Sequence, residues 1–245
     1  MDWLVSSAAL DSAQLRFSLT TSSIIPPEWY DAAYLEYPPY ADTPMRHLYQ
    51  QIAKMIPRLA PVVDLGCGSG YLASALLEHN YQGKYVGYDF SPVAVDIARD
   101  VFADLATPIY ENLKLWPLPY EPVQLELWDY KEELQQQYQF EVVDLYDWCP
   151  EVTKYTHSTI YTSFEVLEHV EDDKGIVDRI PARSRFIFSV PNYWSRSHVR
   201  TYDSVGTAYD KFGQFLKFTA WYTFPTKQPE AAIHLYDTYR RADKW

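Results

Sequence analysis

Residues 62–70 read Val62-Val63-Asp64-Leu65-Gly66-Cys67-Gly68-Ser69-Gly70, a short buried-strand pattern running straight into three alternating glycines. The chain holds only 8 glycines. Three within five positions therefore mark a place where the backbone turns tightly or lies close against another group. A helix is expected over 71–80, so the stretch is strand, loop, helix, the context that gives a glycine loop meaning. Upstream, Thr43 is the expected N-cap and Pro44 the first residue of a helix. Its apolar residues Met45, Leu48, Tyr49, Ile52, Met55 and Ile56 recur at helical spacing until Pro57. Downstream, 84–89 is a second strand. Ser91 caps the next helix, with Pro92 in its first turn and Val93, Ile97 and Val101 on one face. Further strands are expected over 140–145, 159–164 and 185–190, and 215–224 with 231–239 reads as an antiparallel hairpin. This alternation implies an α/β fold of Rossmann-like, doubly wound type: a mostly parallel seven-stranded sheet with an antiparallel C-terminal hairpin strand, reversed and at the edge. Its ligand site belongs at the carboxyl ends of the first and fourth strands.

Composition narrows the class. At 245 residues and 47% apolar content, the chain can bury a sizeable core, which excludes a disordered protein. We divide it into a Ser-, Tyr- and Pro-rich arm over 1–43, packed on a domain over 44–245. That domain carries an insertion at about 103–138, with Pro117, Pro119 and Pro122 and one helix near 131–138. Thirty-three acidic against 21 basic residues give a net charge of -12, which argues against a nucleic-acid groove and against an anionic membrane surface. No stretch of eighteen apolar residues occurs, and Met1-Asp2-Trp3-Leu4-Val5 lacks the basic start of a secretory signal. Cys67 and Cys149, the two cysteines, lie in different motifs, so no disulfide framework forms. A cytoplasmic protein with a small-molecule partner is expected; the sequence leaves its oligomeric state open.

The loop spacing is G-x-G-x-G, not the G-x-G-x-x-G of a dinucleotide site. Asp64 separates the two cases. A carboxylate there repels a pyrophosphate but suits an α-ammonium group, and S-adenosylmethionine carries that ammonium, a sulfonium and no phosphate. Asp89 follows Gly70 by 19 residues, the place for an acid that accepts both ribose hydroxyls. Phe90 beside it can cover an adenine face, while Asp147 and Trp148 offer an acid for the adenine amino group and an aromatic wall. Gly66, Cys67, Gly68 and Gly70, with Phe164 at the end of the fourth strand, complete the expected cofactor set. Residues 44–200 resemble the class I S-adenosylmethionine-dependent methyltransferases through VVDLGCGSGYLA from Val62, YVGYDFSPVAVDIA from Tyr85, SFEVLEHVED from Ser163 and FIFSVPN from Phe186. The resemblance is to the branch of ubiquinone-biosynthesis-type O-methyltransferases and implies a methyl donor that leaves as S-adenosylhomocysteine. The insertion departs from that branch. So does Arg179-Ile180-Pro181-Ala182-Arg183-Ser184, which stands where the branch has Pro-Gly-Gly, so no acceptor is carried over.

Methyl transfer needs an acceptor in line with the methyl group and, for a neutral acceptor, a group to take its proton. Glu165, Glu168 and His169 fall at i, i+3 and i+4 after the fourth strand and share a face if the segment is helical. Three readings are open. The acids can complement a helix dipole, or His169 can be a general base oriented by a carboxylate. Alternatively, Glu165, Glu168, His169 and His198 can hold a divalent metal. The last resembles the small-RNA 3′-terminal 2′-O-methyltransferases, whose later His-rich segment is not evident here. After the fifth strand, Arg196, His198 and Arg200 form a cationic cluster suited to an acceptor carboxylate or phosphate. Tyr30, Tyr34, Tyr37 and Tyr40 can close over the cofactor, and Trp116, Trp128 and Tyr130 can wall an apolar substrate. The leading function is methyl transfer to a small-molecule oxygen or nitrogen. The alternatives are metal-assisted 2′-O-methylation of an RNA end and a cofactor-binding protein without methyl transfer.

Overall fold

A computed structural model describes residues 25–114, 127–150, 158–228 and 230–242. Helices α1 (Pro27–Glu36) and α2 (Arg46–Met55) precede β1 (Val62–Leu65), α3 (Tyr71–Glu78), β2 (Tyr85–Asp89), α4 (Pro92–Lys114), α5 (Leu127–Gln137) and β3 (Tyr138–Val142). Then follow β4 (Ile160–Phe164), α6 (Asp173–Arg179), β5 (Arg185–Pro191), α7 (Val205–Phe212), β6 (Leu216–Pro225) and β7 (Ala232–Arg240). The seven strands form one sheet in the order β3-β2-β1-β4-β5-β7-β6. All neighbours are parallel except at β7, which runs antiparallel to both β5 and β6. The reversed strand therefore lies inside the sheet, and β6 takes the edge.

Strand side chains alternate between faces, and both faces of a parallel sheet need cover. Val62, Ile160 and Ile187 pack with Leu48, Ile52, Leu72, Leu76 and Val95 of α2, α3 and α4. Val63, Tyr161, Phe186 and Phe188 pack on the other side with Ile176, Val177 and Phe212 of α6 and α7. Ser91 caps α4 as expected, its Oγ accepting from the Ala94 N–H at 3.1 Å.

Several boundaries move. The regular turns of α2 begin at Arg46, two residues after Pro44. Thr43 Oγ1 instead accepts from Met45 N at 3.3 Å, so it closes a turn that leads into the helix. Helix α4 continues through 103–114, where the proline pattern suggested irregular chain. Strand β3 starts at Tyr138, directly after α5. Because β3 ends at Val142, Leu145–Asp147 form a turn in which the N–H groups of Asp147 and Trp148 donate to Asp144 O at 2.9 and 3.0 Å. No helix among the described residues is long and apolar enough to cross a membrane.

Candidate active site

The glycine loop lies where β1 meets β2 and β4. Gly66 and Cys67 both donate backbone N–H groups to Tyr88 O, at 2.8 and 2.9 Å. Gly66 has φ +82°, and a Cβ there would sit 2.3 Å from Val166 Cγ2, so the cofactor loop abuts the segment after β4. Gly68, at φ +51°, donates its N–H to Asp89 Oδ2 at 2.9 Å. Ser91 N donates to Oδ1 of the same carboxylate at 3.0 Å. Burial pushes Asp89 up to about 6, opposed by those two bonds.

Asp64 is buried within β1, where Thr162 Oγ1 donates to its Oδ1 and Tyr85 OH to its Oδ2, each at 2.7 Å. Burial raises its pKa and both hydroxyls oppose the rise. Each oxygen keeps a further lone pair. Thr162 and Tyr85 were not among the expected site residues. For Thr162 the signal was a polar group within an apolar strand, which the register sets beside Asp64.

Helix α1 roofs this end. Tyr34 OH would stand 3.1 Å from a Cβ on Gly68. Asp31 Oδ1 accepts a short hydrogen bond from Ser91 Oγ. Tyr30 meets both Phe90 and His169 edge-on, with ring centroids 5.2 and 5.9 Å apart. Of the arm tyrosines, Tyr34 thus reaches the loop, and Tyr30 reaches the residues that follow β2 and β4. Trp116 and the side chains of Trp128 and Tyr130 lie outside the described residues.

The segment after β4 is not helical. Glu165 adopts φ +56°, and residues 167–169 form a turn closed by His169 N donating to Val166 O at 2.9 Å. The face expected from helical spacing is absent, yet the turn gathers much of the same chemistry. Ser189 Oγ accepts from Glu165 N at 3.2 Å and donates to its Oε1 at 2.8 Å. Burial lifts Glu165 to about 7, with the Ser189 bond opposing. Glu168 is 0% exposed, and burial followed by the Glu165 charge drives it well above the carboxylate range. His169 Nδ1 lies 2.9 Å from Ser197 O and 3.3 Å from Tyr30 OH. Burial lowers this imidazole to about 4. The ring centroid of buried His198 is 4.8 Å away, and its Nδ1 is 3.1 Å from Tyr193 O. Burial and then the charges of Glu165 and Glu168 raise the Tyr193 phenol, and Trp194 next to it is 65% exposed.

Two expected roles change, those of Trp148 and Arg200. Trp148 is buried in the α6-side core, 6.1 Å from the Tyr161 ring. It cannot wall an adenine at the loop. Asp147 is exposed in the turn after β3. Arg200 is no free cation, because its guanidinium donates to Leu167 O and Glu171 O, each at 2.9 Å, and to Val170 O, and pairs with Asp173 at 3.2 Å. The fork satisfies carbonyls that an irregular turn leaves open. Arg196 alone of the two arginines is exposed.

A methyltransferase-domain family model matches residues 37–203. Among solved structures, the chain is similar to the N-methyltransferase NodS from Bradyrhizobium japonicum WM9 in complex with S-adenosylhomocysteine. Identity is 12% and the TM-score 0.57, over 87% of this chain and 98% of that one. It is also similar to magnesium protoporphyrin IX methyltransferase from Synechocystis PCC 6803 with bound S-adenosylmethionine, at 16% identity and TM-score 0.50, over 87% and 79%. The methyltransferase domain of bacterial CtHen1-C matches at 17% identity and TM-score 0.53, over 83% and 100%. At these identities the likeness is one of fold.

Proposed function

This chain belongs to the methyltransferase-domain family, and we propose that it moves the methyl group of S-adenosylmethionine onto a neutral oxygen of a small molecule. The donor supplies an electrophilic methyl on a sulfonium; everything else falls to the chain. The bare backbone at Gly66, Gly68 and Gly70, all at positive φ, suits a ligand that lies against the main chain. Asp64 is assigned the ammonium, Asp89 the ribose hydroxyls and Phe90 an adenine face, while Tyr34 and Tyr30 in the roof exclude water. The SFEVLEHVED and FIFSVPN motifs support the ubiquinone-biosynthesis-type branch within the family.

The observation that carries the acceptor reading is the contact of Gly66 with Val166. It sets residues 165–169 against the cofactor loop, where an acceptor must approach in line. Two carboxylates, Tyr193 and the exposed Trp194 border that face, which favours an uncharged, partly aromatic acceptor over a phosphate chain. We assign proton acceptance to Glu165, fixed by Ser189 and buried enough to stand near 7, where a general base works best. His169, held near 4, is a poor proton acceptor at neutral pH.

The test is incubation of the purified chain with methyl-labelled S-adenosylmethionine, a panel of phenols, alcohols and amines, and RNA oligonucleotides. Label is expected in a hydroxyl compound. Label in RNA alone would overturn the small-molecule reading, and failure to bind S-adenosylhomocysteine would overturn the cofactor assignment.

A further inference from the structure

We infer that β6 docks a second copy of this chain, pairing antiparallel with the same strand of that copy across a two-fold axis. The strand bonds to β7 on one side, and among the described residues nothing pairs with its other side. Such an edge is a template for a further strand unless charge, proline or a bulge blunts it. Here the blunting is confined to the ends. The register on β7 shifts between Phe218 and Ala220, and Pro225 has no N–H to give. Lys217 and Lys227 lie outside these two points. Residues 220–224 between them, Ala-Trp-Tyr-Thr-Phe, carry no charge.

Uncovered aromatic rings stand on both faces of this edge. Directly opposed residues of an antiparallel pair share a face. Trp221 is opposite Tyr236, whose ring stacks on Phe188 at 4.9 Å in the core on the α7 side. Tyr209 of α7 extends that face, its ring 4.7 Å from Phe218. Tyr222 is opposite Leu235, which belongs to the core on the α2 and α3 side. Tyr239, four residues along β7 from Leu235, lies on the same side. Trp221, Tyr209, Tyr222 and Tyr239 are 62%, 54%, 48% and 43% exposed. A flat apolar partner or a membrane surface would cover one face and leave the other wet. A strand added to the edge covers both.

The strand that matches this pattern is β6 itself. Two-fold pairing sets its rings beside their own copies on each face, the cross-strand contacts that stabilise antiparallel pairs. Charge points the same way. Two chains of net charge -12 repel each other over most of their surface, but residues 211–229 contain no acid. An aromatic side chain buries about 150–250 Å², so the exposed parts of the four rings offer roughly 400 Å² per copy. Strand pairing adds main-chain area, which brings the contact near the total of about 1,000 Å² that a specific interface needs. A weak dimer follows. Each copy has one β6 edge, so assembly closes at two. Strands β5 and β6 both run antiparallel to β7, so β6 points the same way as the strands that carry the glycine loop. Antiparallel pairing therefore turns the two clefts to opposite ends of the dimer and leaves each open.

The test is sedimentation velocity of the full chain from about 1 to 300 µM, with hydrogen exchange of the same samples read by mass spectrometry. A reversible monomer–dimer equilibrium is expected, with a dissociation constant of roughly 10–100 µM. Exchange over 220–224 should slow in the concentrated sample. Trp221→Glu and Tyr222→Glu each set like charges against one another, on opposite faces of the pairing. Either should weaken the dimer about tenfold or more while S-adenosylhomocysteine affinity stays within about twofold. A wild-type chain that is still monomeric at about 300 µM overturns the inference. So does a dimer whose exchange over 220–224 ignores concentration, and these two readouts decide the matter even if a variant fails to fold. A dimer that both folded variants form as readily as wild type has its contact elsewhere and overturns it as well. Slow exchange over 220–224 in a monomer would show that another part of the chain covers the edge. Capture of the monomer by phosphatidylcholine vesicles would assign the rings to lipid. Either result refutes the self-pairing.

Discussion

Asp89→Asn separates the two tasks assigned to that carboxylate. In the fold, Oδ2 and Oδ1 accept from Gly68 N and Ser91 N at 2.9 and 3.0 Å, and the residue is 3% exposed. Asparagine keeps one oxygen and turns an amide NH₂ toward the other N–H. A buried donor left unmatched costs about 1–3 kcal/mol of stability. The ribose hydroxyls lose a charged acceptor, about 1.5–3 kcal/mol, or roughly 10- to 150-fold in affinity. Acidity gives a second axis. Burial holds Asp89 near 6, so the folded state keeps its proton to higher pH than the unfolded chain does. Its contribution to stability is therefore present at low pH and is lost as pH rises from about 4 through about 6. Cofactor affinity runs the opposite way, because the hydroxyls donate to the ionised form. Relative to neutral pH, S-adenosylhomocysteine should bind about tenfold more weakly at about pH 5, one unit below that value. The Asn variant should show no such slope. Titration calorimetry between about pH 5 and 8, with melting curves on the same samples, reads both quantities. A wild-type affinity that is flat across this range, or an Asn variant that binds as wild type at neutral pH, refutes the ribose assignment.

Gly66→Ala combines a left-handed backbone with a Cβ driven into Val166 and should cost about 2–4 kcal/mol; an unchanged melting temperature would deny that the loop and the segment after β4 touch. Arg200→Met should lose about 2–4 kcal/mol in urea unfolding while Arg196→Met stays within about 0.5, and the reverse order would restore Arg200 as a substrate cation. Thr162→Val removes one of two hydroxyls on buried Asp64, with an expected loss of about 1–3 kcal/mol and weaker S-adenosylhomocysteine binding. Wild-type affinity in both Thr162→Val and Tyr85→Phe would detach Asp64 from the ammonium.

Features encoded by adjacent residues were legible in the chain. The glycine loop, the Ser91-Pro92 helix start and the alternating strands follow from local stereochemistry, and all but β3, which ends three residues early, stand within about two residues of their expected place. Helix α1 was not foreseen as a helix. Pro27 at its start was a usable signal, but the helix buries no residue fully, so it carries no apolar stripe to read. The Glu165–His169 segment misled because its conformation is set from afar. Arg200 captures the carbonyls of Leu167, Val170 and Glu171, Ser189 holds Glu165, and Val199 N donates to Glu168 O at 2.8 Å. No spacing rule contains those partners. Trp148 misled for the related reason that aromatic residues near a strand end serve a core as readily as a pocket. Ser189, paired in register with Phe164, was visible as the polar residue in an apolar strand, though its partner was not.

The interior position of β7 has a consequence for the order in which the molecule can be made. Strand β5 reaches Pro191 before Ile233, its partner at that end of the pairing, exists. The intervening stretch of about 40 residues takes roughly 2–8 s to synthesise at ribosomal rates. Neither α7 nor β6, which emerge in that interval, can close the gap, because β6 bonds only to β7. Phe186, Ile187 and Phe188 thus wait on an unpaired edge until the Arg185–Asp237 pair, at 2.7 Å, can form. The sheet that presents the cofactor loop is completed by a late strand that slots in one place from its edge. A nascent chain stalled anywhere between 192 and 231 would hold a finished glycine loop beside an open, adhesive flank.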